Sequence, residues 1–407
     1  MKLKLYRYQK WEIVIFICFY FLVFQDPLTL YVSEIFSFVD EVFALLGMVF
    51  VMYLGFCKNK RMMVKRSTIG IVIPLLIFVL CGIAANVVYQ YQPTNLVIKD
   101  LFVNLKFFLS VVTSYYLFRH TCVEKDRILQ HTKTCTTILF LLLIFDIVFN
   151  IFPFNGYRYG IKVRNLIFGH VTYLAATCVF FLSVFLMFFE KRNIKYIVMA
   201  LIVLISTLRA KAMAGATAYI FILYFVFLKQ KKIKLWHILL IGVASLYIAR
   251  DQISFYYMEL ASKSARSVLT QTSFEIMKDY FPIGTGFGTY GSDVAGEYYS
   301  PVYVEYGFTQ IYELRQESGF FSDTFWPIII GQTGFIGTVS YLIVLVKLFL
   351  KTIEVRFVHH GAYATALFIF IYLMMSSTSE PTFCNAVSIP LAMMLGCILS
   401  VEQAQKA

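Results

Sequence analysis

Charged residues are scarce in this sequence. Asp, Glu, Lys and Arg make up only 14% of its 407 residues. A soluble protein would carry about a quarter. Hydrophobic residues reach 59%, and apolar runs of about 20 residues, the length that crosses a ~30 Å hydrocarbon core, recur along the chain. The composition therefore excludes an ordinary soluble domain and predicts a polytopic membrane protein.

Other absences narrow the class further. The eight cysteines show neither paired nor metal-type spacing, which argues against a disulfide framework. No small-residue cleavage site follows the basic start "MKLKLYRYQK", so we interpret the first apolar run as a spanning helix and not as a signal peptide. The net charge of +13 comes from basic residues clustered in short loops between spans. This pattern marks cytoplasmic loops and does not indicate nucleic-acid binding.

The stretch "GFGTYG" at 286–291 matches the G-x-G-x-x-G fingerprint of dinucleotide-binding loops. That fingerprint requires a preceding strand and a following helix, and neither is predicted here. No Gly-Lys-Ser/Thr follows, so a phosphate-binding P-loop is excluded as well, and no nucleotide partner is expected. Gly284, Gly286 and Gly288 can take positive φ, so the backbone can approach a ligand or a neighbouring helix closely. With Tyr290 they form a candidate substrate-binding loop; a tight turn without ligand contact is the alternative.

The hydropathy pattern predicts about twelve transmembrane helices, in an all-α membrane protein whose two termini are cytoplasmic. Their approximate limits are 11–31, 35–56, 69–90, 97–118, 135–152, 166–189, 194–208, 212–228, 234–250, 327–350, 362–379 and 382–400. Three parts follow: residues 1–250 with helices one to nine, a large extracytoplasmic loop at 251–326, and residues 327–407 with the last three helices and a cytoplasmic C-terminus.

The long outer loop differs from the other loops. Residues 251–326 contain ten Asp or Glu against four Lys or Arg, and they are rich in Tyr and Gly. The first part has the pattern of an amphipathic helix that ends at Pro282. Structureless loops of this length are uncommon, so we expect an ordered segment that forms part of an active site.

Several basic residues lie on the outer side, against the positive-inside pattern. The planar fork of arginine suits phosphate oxygens, and several forks together would hold a diphosphate. The alternative is that these side chains reach lipid headgroups or pair with the acidic loop. The external cations are Arg158, Lys162, Arg164, Arg209, Lys211 and Arg266.

Two titratable residues near the outer face are candidates for proton transfer. Asp323 stands just before the tenth predicted span, where it is either a helix N-cap or a partly desolvated proton acceptor. His170 is the one histidine placed near the outer face, at the start of a span. A polar cap is the more usual role for a histidine at such a position.

Further acidic residues at the outer face are weaker site candidates. Asp40 and Glu41 lie at the outer end of the second span, where two buried acids would need a shared proton or a basic partner. Lys99 and Lys106 could supply that partner, and structural pairing is the simpler interpretation. Glu317, in the outer loop, is an additional candidate.

Three segments in this order resemble the bacterial O-antigen and capsular polysaccharide polymerases, which are related to the O-antigen ligases. The segments are "STLRAKAMAGATAYI", "RSVLTQTSFEIMKDYFPIGTGFGTY" and "DTFWPIIIGQTGFIG", and they occupy about 130 residues from Ser206 to Gly337. Many relatives, especially ligases, carry His-Asn where this chain has Asp323 and Thr324. That difference favours a polymerase over a ligase.

The resemblance implies a fold like that of class-C glycosyltransferases and an inverting, metal-independent reaction without a cofactor. The enzyme would transfer a growing glycan from undecaprenyl diphosphate to a sugar hydroxyl of another lipid-linked repeat unit. Arg209 and Arg266, helped by Arg158 or Arg164, would hold the diphosphate, and Asp323 would act on the acceptor hydroxyl.

The resemblance also implies a cellular setting. The site would face the outside of the bacterial cytoplasmic membrane, and a chain-length regulator and a flippase are expected partners. Two alternatives remain open from the sequence: an O-antigen-ligase type transferase that uses another acceptor, and a flippase or transporter of lipid-linked oligosaccharides.

Overall fold

The structure is a computed structural model. It describes residues 2–56, 66–119, 121, 124–229, 264–317, 320–357 and 359–404, and single positions between 236 and 254. The predicted ninth span at 234–250 and the start of the outer loop lie largely outside the described residues.

The described part of the chain is almost entirely helical. Its α-helices are α1 (Lys2–Val23), α2 (Gln25–Tyr31), α3 (Val39–Phe56), α4 (Arg66–Tyr89), α5 (Thr94–Arg119), α6 (Lys125–Phe149), α7 (Val171–Met187), α8 (Ile194–Ser206), α9 (Ala210–Leu223), α10 (Ala265–Asp279), α11 (Asp293–Glu297), α12 (Pro301–Glu305), α13 (Phe325–Ile353), α14 (His360–Ser376) and α15 (Ile389–Ala404). A π-helical turn, Tyr224–Leu228, continues α9. Two short antiparallel strands, β1 (Phe154–Arg158) and β2 (Ile161–Arg164), form a hairpin.

Several of these helices are long and apolar, which suggests a membrane-embedded protein. Among the described residues, four could cross a membrane by length and composition: Ile69–Tyr89, Lys125–Phe149, Ala210–Leu228 and Phe325–Ile353. Glu12–Val23 and Gln25–Tyr31 add a fifth candidate if the pair is one bent span. The prediction of twelve spans is not confirmed. For example, α7 and α14 have 17 residues each, which is about 26 Å of helix and less than the ~30 Å of a hydrocarbon core.

The first predicted span is broken near its outer end. The axes of Glu12–Val23 and Gln25–Tyr31 differ by 69°. Phe24, between them, has a non-helical conformation, and Pro27 lies in the first turn of α2. Proline lacks an N–H and suits the first turn of a helix, so "FQDP" ends one helix and starts another. The break brings α2 to the outer end of the helix bundle.

The main apolar core lies between the helices of the bundle. α15 packs along α5, α13 packs along α4, and α7 contacts α14. Large aromatic side chains such as Phe107, Phe185 and Tyr341 are fully buried there. A second apolar cluster, built from α10, α11, α12 and the segments that connect them, includes Tyr290 and Tyr303. The described part of the outer loop is therefore an ordered unit with its own core, as the sequence predicts.

The glycine-rich segment of this loop docks into a break in α13. Gly334, inside α13, has φ 59° and ψ −157°, which is not helical. The backbone N–H groups of Thr285 and Gly286 donate to the carbonyl oxygens of Gly331 and Gln332, at 3.1 and 2.8 Å. These contacts occupy carbonyl groups that an unbroken α-helix would use itself.

One further bond fixes the segment from the other side of the break. The N–H of Ile336 donates to the carbonyl oxygen of Pro282, at 3.2 Å. At Gly284, where φ is +76°, a Cβ would stand 2.5 Å from the backbone nitrogen of Gly334. Only glycine allows this close approach of two backbones.

Candidate functional site

Arg209 stands at the start of α9, at the tight turn that joins α8 to α9. Its backbone is extended, as the N-cap position of a helix requires. Its Nη2 lies 2.8 Å from Nε2 of His170, which in turn is the N-cap residue of α7. A guanidinium group can only donate, and Nδ1 of His170 faces a second donor, the N–H of Thr172 at 3.3 Å; a neutral imidazole can accept at only one of its two nitrogens. The structure therefore makes His170 a partner of Arg209.

Lys211, in the first turn of α9, forms an ion pair with Glu380. Both side chains are largely buried, with 8% and 11% of their surface exposed. Nζ of Lys211 also lies 3.3 Å from Oγ1 of Thr172. Glu380 follows α14, and the hydroxyl of Ser376 donates to its carboxylate. The pair thus joins the starts of α7 and α9 to the end of α14.

Arg266, in the first turn of α10, pairs with Asp323 at 3.1 Å. Its Nη2 also lies 3.4 Å from the backbone oxygen of Ser379, the neighbour of Glu380. The N-cap residue of α13 is Thr324, so the interpretation of Asp323 as the helix cap is wrong. Asp323 is one residue too early, and its carboxylate turns to the arginine instead. About a third of the Asp323 side chain, 34%, is exposed.

These residues form one group of charges where the starts of α7, α9 and α10 meet the segments before α13 and after α14. Arg158, from β1, joins them because its Nη1 lies 3.4 Å from the carbonyl oxygen of Leu208, next to Arg209. Lys211 is two residues from Arg209, and its partner Glu380 follows Ser379, which Arg266 contacts. We call Arg158, Arg209, Lys211 and Arg266 the cation cluster. Among the described residues, Glu380 and Asp323 pair with Lys211 and Arg266, and the three guanidinium groups of the cluster are of the kind that suits the oxygens of an anionic ligand.

Arg164 and Lys162 have different partners. Arg164 forms an ion pair with Asp146 of α6, and both side chains are largely buried. Nζ of Lys162 lies 2.5 Å from the side-chain oxygen of Asn150. Arg158 therefore belongs to the cation cluster, whereas Arg164 is held by its ion pair with Asp146 at the end of β2. Glu317 is exposed in a turn of the outer loop.

A cavity of about 520 Å³ lies next to the acidic partners of Arg266 and Lys211, and none of the four cations is among the described residues that line it. Two of its lining residues are chain neighbours of the ion pairs just described: Ser322 precedes Asp323, and Pro381 follows Glu380. Eight of its 21 lining residues are charged: Asp26, Asp40, Glu41, Lys99, Asp100, Lys106, Asp293 and Glu297. We call this space the acidic cavity.

The predicted acidic pair, Asp40 and Glu41, lines the acidic cavity. Asp40 forms a buried ion pair with Lys106, so one of the two predicted basic partners is confirmed. The other candidate, Lys99, pairs with Glu297 of α11. These contacts explain how two neighbouring carboxylates are tolerated at this depth.

The predicted substrate-binding loop lies inside the protein. Gly284 faces backbone atoms of α13, and Gly286 faces Asn86 of α4. The N–H of Gly288 donates to Oδ2 of Asp100, at 2.9 Å, so this glycine supports the wall of the acidic cavity. Tyr290 is fully buried and donates to the carbonyl oxygen of Leu269, at 2.8 Å.

Tyrosines of the outer loop form hydrogen bonds with acidic residues of the same loop. Tyr280 donates to Glu305 and contacts Tyr91, while Tyr306 donates to Asp279. Burial, together with the side-chain contacts to Tyr91 and Glu305, raises the pKa of Tyr280 far above its usual range. The phenol is therefore neutral at physiological pH and acts as a hydrogen-bond donor. This role favours packing and positioning over proton transfer.

Sequence reasoning missed several of the carboxylates at the site. Glu380 is the clearest, since it is an acid in the otherwise uncharged run "MMSSTSEPTF" between two apolar helices. An ionisable group close to membrane depth is a usable signal. Asp100 and Asp293 have weaker signals, because nothing in the local pattern separates them from surface acids.

Comparison with known proteins adds no identification. No family model matches this chain, and no curated protein matches it. The resemblance to polysaccharide polymerases therefore stays a hypothesis, and function has to be argued from the site. Within the residues that the structure describes, no group of three or more His, Cys, Asp or Glu side chains could hold a metal ion.

Proposed function

We propose that the protein is a membrane glycosyltransferase that polymerises polysaccharide repeat units. It transfers a growing glycan from undecaprenyl diphosphate to a sugar hydroxyl of a second lipid-linked repeat unit. The observation that carries this proposal is the position of the cation cluster beside the acidic cavity. The first suits a diphosphate and the second a hydroxyl-rich sugar, and the reaction requires both at adjacent positions.

The cation cluster supports the diphosphate role. Guanidinium groups bind phosphate oxygens through two parallel hydrogen bonds, and the cluster contains three arginines. Arg266 has 14% of its side-chain surface exposed, so a ligand would meet it in a largely water-excluded place. Preorganised positive charge there would stabilise the negative charge that develops on the leaving diphosphate.

In the proposed reaction, the acceptor hydroxyl oxygen forms a bond to the anomeric carbon of the donor. The bond between that carbon and the diphosphate oxygen breaks, and undecaprenyl diphosphate leaves with the bonding electron pair. The proton of the hydroxyl passes to the carboxylate of Asp323. Arg266 orients this carboxylate through their 3.1 Å contact. Attack opposite the leaving group inverts the anomeric configuration.

The proposal includes a cellular setting. The site would open to the extracytoplasmic face of the bacterial cytoplasmic membrane, with both termini in the cytoplasm. A flippase would deliver the lipid-linked repeat units, and a chain-length regulator would limit the product. The diphosphate is already an activated leaving group, so the reaction as proposed uses neither a metal ion nor a nucleotide.

The test is a reaction of the purified full-length protein with synthetic undecaprenyl-diphosphate repeat units, followed on a gel. We expect a ladder of products. Arg209→Ala and Arg266→Ala should lower its formation about 100-fold or more, in line with the loss of a charge-stabilising donor. Arg315→Ala is the matched control, since Arg315 is an exposed arginine of the same loop.

The other outcomes separate the alternatives. Normal ladders from both arginine variants, at normal protein level, would contradict the diphosphate role. Transfer of the glycan to a different acceptor would indicate a ligase. Absence of any ladder, together with movement of the lipid-linked unit across proteoliposomes, would indicate a flippase.

A further inference from the structure

The acidic cavity carries an excess of negative charge. Six carboxylates and two lysines line it. Each lysine is already paired with one of those carboxylates, Lys106 with Asp40 and Lys99 with Glu297. Four carboxylates remain after these pairs: Asp26, Glu41, Asp100 and Asp293.

Gln25, which lines the cavity, carries a buried side-chain oxygen without a hydrogen-bond partner among the described residues. Gln25 is 5% exposed, and its Nε2 donates to the backbone oxygen of Ser37 and to Oδ1 of Asp40, at 2.8 and 2.7 Å. Both partners can only accept, so the amide nitrogen must face them. Oε1 therefore points the other way, and among the described residues it has no hydrogen-bond partner.

Asp100 presents a second such atom. The side chain is fully buried, and Oδ2 accepts from the N–H of Gly288 and from the side-chain nitrogen of Asn104. Oδ1 is buried too and forms no hydrogen bond of normal geometry in the described part of the chain, although the side chains of Ser292 and Gln332 lie next to this carboxylate. A buried polar atom that lacks a partner is costly, and a bound ligand can supply the missing bond.

Both of these atoms are hydrogen-bond acceptors, so a ligand that forms the missing hydrogen bonds must supply donors. We propose that the acidic cavity receives the terminal sugar of the acceptor and selects a sugar without an acidic group, bound through its hydroxyl or amino donors. This inference rests on the proposed function, because it assigns the acceptor to the space beside the cation cluster. A uronic acid would place a carboxylate beside four others and would leave Gln25 and Asp100 without the donors they need.

The first experiment measures binding in the absence of any donor lipid. The full-length protein in nanodiscs is mixed with methyl glucoside, methyl glucosaminide or methyl glucuronide, and saturation-transfer NMR reports bound sugar. The glucosaminide and the glucuronide each differ from the methyl glucoside in a single group. We expect the first two to bind, and the glucuronide to bind at least about tenfold more weakly, because like charges would face each other. Equal binding of all three, or binding of none, would overturn the inference.

Variants test the wall itself. Asp100→Asn replaces an acceptor by an amide that can place N–H donors in the cavity, so affinity for the glucosaminide should fall about tenfold. The glucuronide should gain affinity in the same variant. Glu275→Gln, which removes an exposed carboxylate of α10 outside the cavity, should change neither. Glu41→Gln repeats the charge test on the cavity wall if Asp100→Asn does not fold. Unchanged affinities in a folded Asp100→Asn or Glu41→Gln protein would contradict the inference.

A transfer reaction separates this inference from the proposed function. If repeat units with an acidic acceptor sugar polymerise as fast as neutral ones, the selectivity is wrong and the polymerase stands. If the neutral and amino glycosides bind selectively and no ladder forms with any acceptor, the cavity is a sugar site and the polymerase proposal fails.

Discussion

Oδ2 of Asp323 lies 3.1 Å from Nη2 of Arg266, and this contact joins the segment before α13 to the first turn of α10. The same guanidinium lies 3.4 Å from the backbone oxygen of Ser379, in the segment after α14. Three parts of the chain that are far apart in sequence therefore meet at one arginine. The neighbouring pair of Lys211 and Glu380 adds α9 to this junction.

Asp323→Asn should damage polymerisation far more than His170→Ala. The carboxylate of Asp323 is the proposed proton acceptor, whereas His170 contacts the guanidinium group of Arg209. We expect losses of at least about 100-fold for Asp323→Asn and less than about tenfold for His170→Ala. The measurement is the initial rate of ladder formation at equal protein level. The opposite ranking would assign the base to the histidine.

A short diphosphate lipid should bind more tightly than the matching monophosphate. Geranyl diphosphate offers a second phosphate to the arginine forks, so we expect at least about a tenfold advantage over geranyl monophosphate. Arg266→Lys should keep the charge and lose part of the advantage, and Arg266→Ala should lose most of it. Competition in the ladder reaction, or calorimetry in detergent, provides the affinities. An equal affinity for both lipids would speak against a diphosphate site.

The buried pair of Lys106 and Asp40 should matter for stability through charge balance. Their side chains are 7% and 3% exposed. Lys106→Met alone would leave a buried carboxylate, at a cost of roughly 3 kcal/mol or more. Adding Asp40→Asn should recover most of that loss. Unfolding in detergent, analysed as a double-mutant cycle, checks the coupling; additive effects would show that the two charges do not depend on each other.

Gly284→Ala should destabilise the protein more than Gly307→Ala. Both positions have positive φ, +76° and +72°, so both pay the conformational cost of about 1 kcal/mol. Only at Gly284 would the new Cβ also collide with backbone, that of α13, whereas Gly307 has open space. The difference in unfolding midpoint therefore measures the docking of the loop on α13. Equal unfolding midpoints would mean that the loop can shift away from α13 without loss of stability.

Regular apolar helices were the most predictable part of the fold. The predicted spans 69–90 and 327–350 agree with α4 (Arg66–Tyr89) and α13 (Phe325–Ile353) to within three residues at each end. The break at Phe24 was missed because hydropathy continues across it, although Pro27 gave a local signal. The small hairpin of β1 and β2 was missed as well, in a loop whose turn has positive φ at Tyr159 and Gly160.

The site was only partly predictable, because ion pairs depend on how helices pack. The sequence identified Arg209 and Arg266 as candidates because they are positive charges on the predicted outer side. It identified Asp323 separately, as a polar residue just before a predicted span. It could not pair Arg266 with Asp323 or find Glu380 as the partner of Lys211. Those pairings arise where α7, α9, α10 and α14 converge, and no single segment contains that information.

The backbone bonds that fix residues 282–286 in the gap of α13 limit how the protein can move. Detaching this segment would expose the carbonyls of Gly331 and Gln332 and the N–H of Ile336 in an apolar setting, at about 1–3 kcal/mol for each group. The segment is therefore a fixed part of the packing on α13, and we expect it not to open as a lid. In the proposed polymerase, a lipid-tethered chain would therefore have to enter and leave without displacement of this segment, which would keep its place from one transfer to the next.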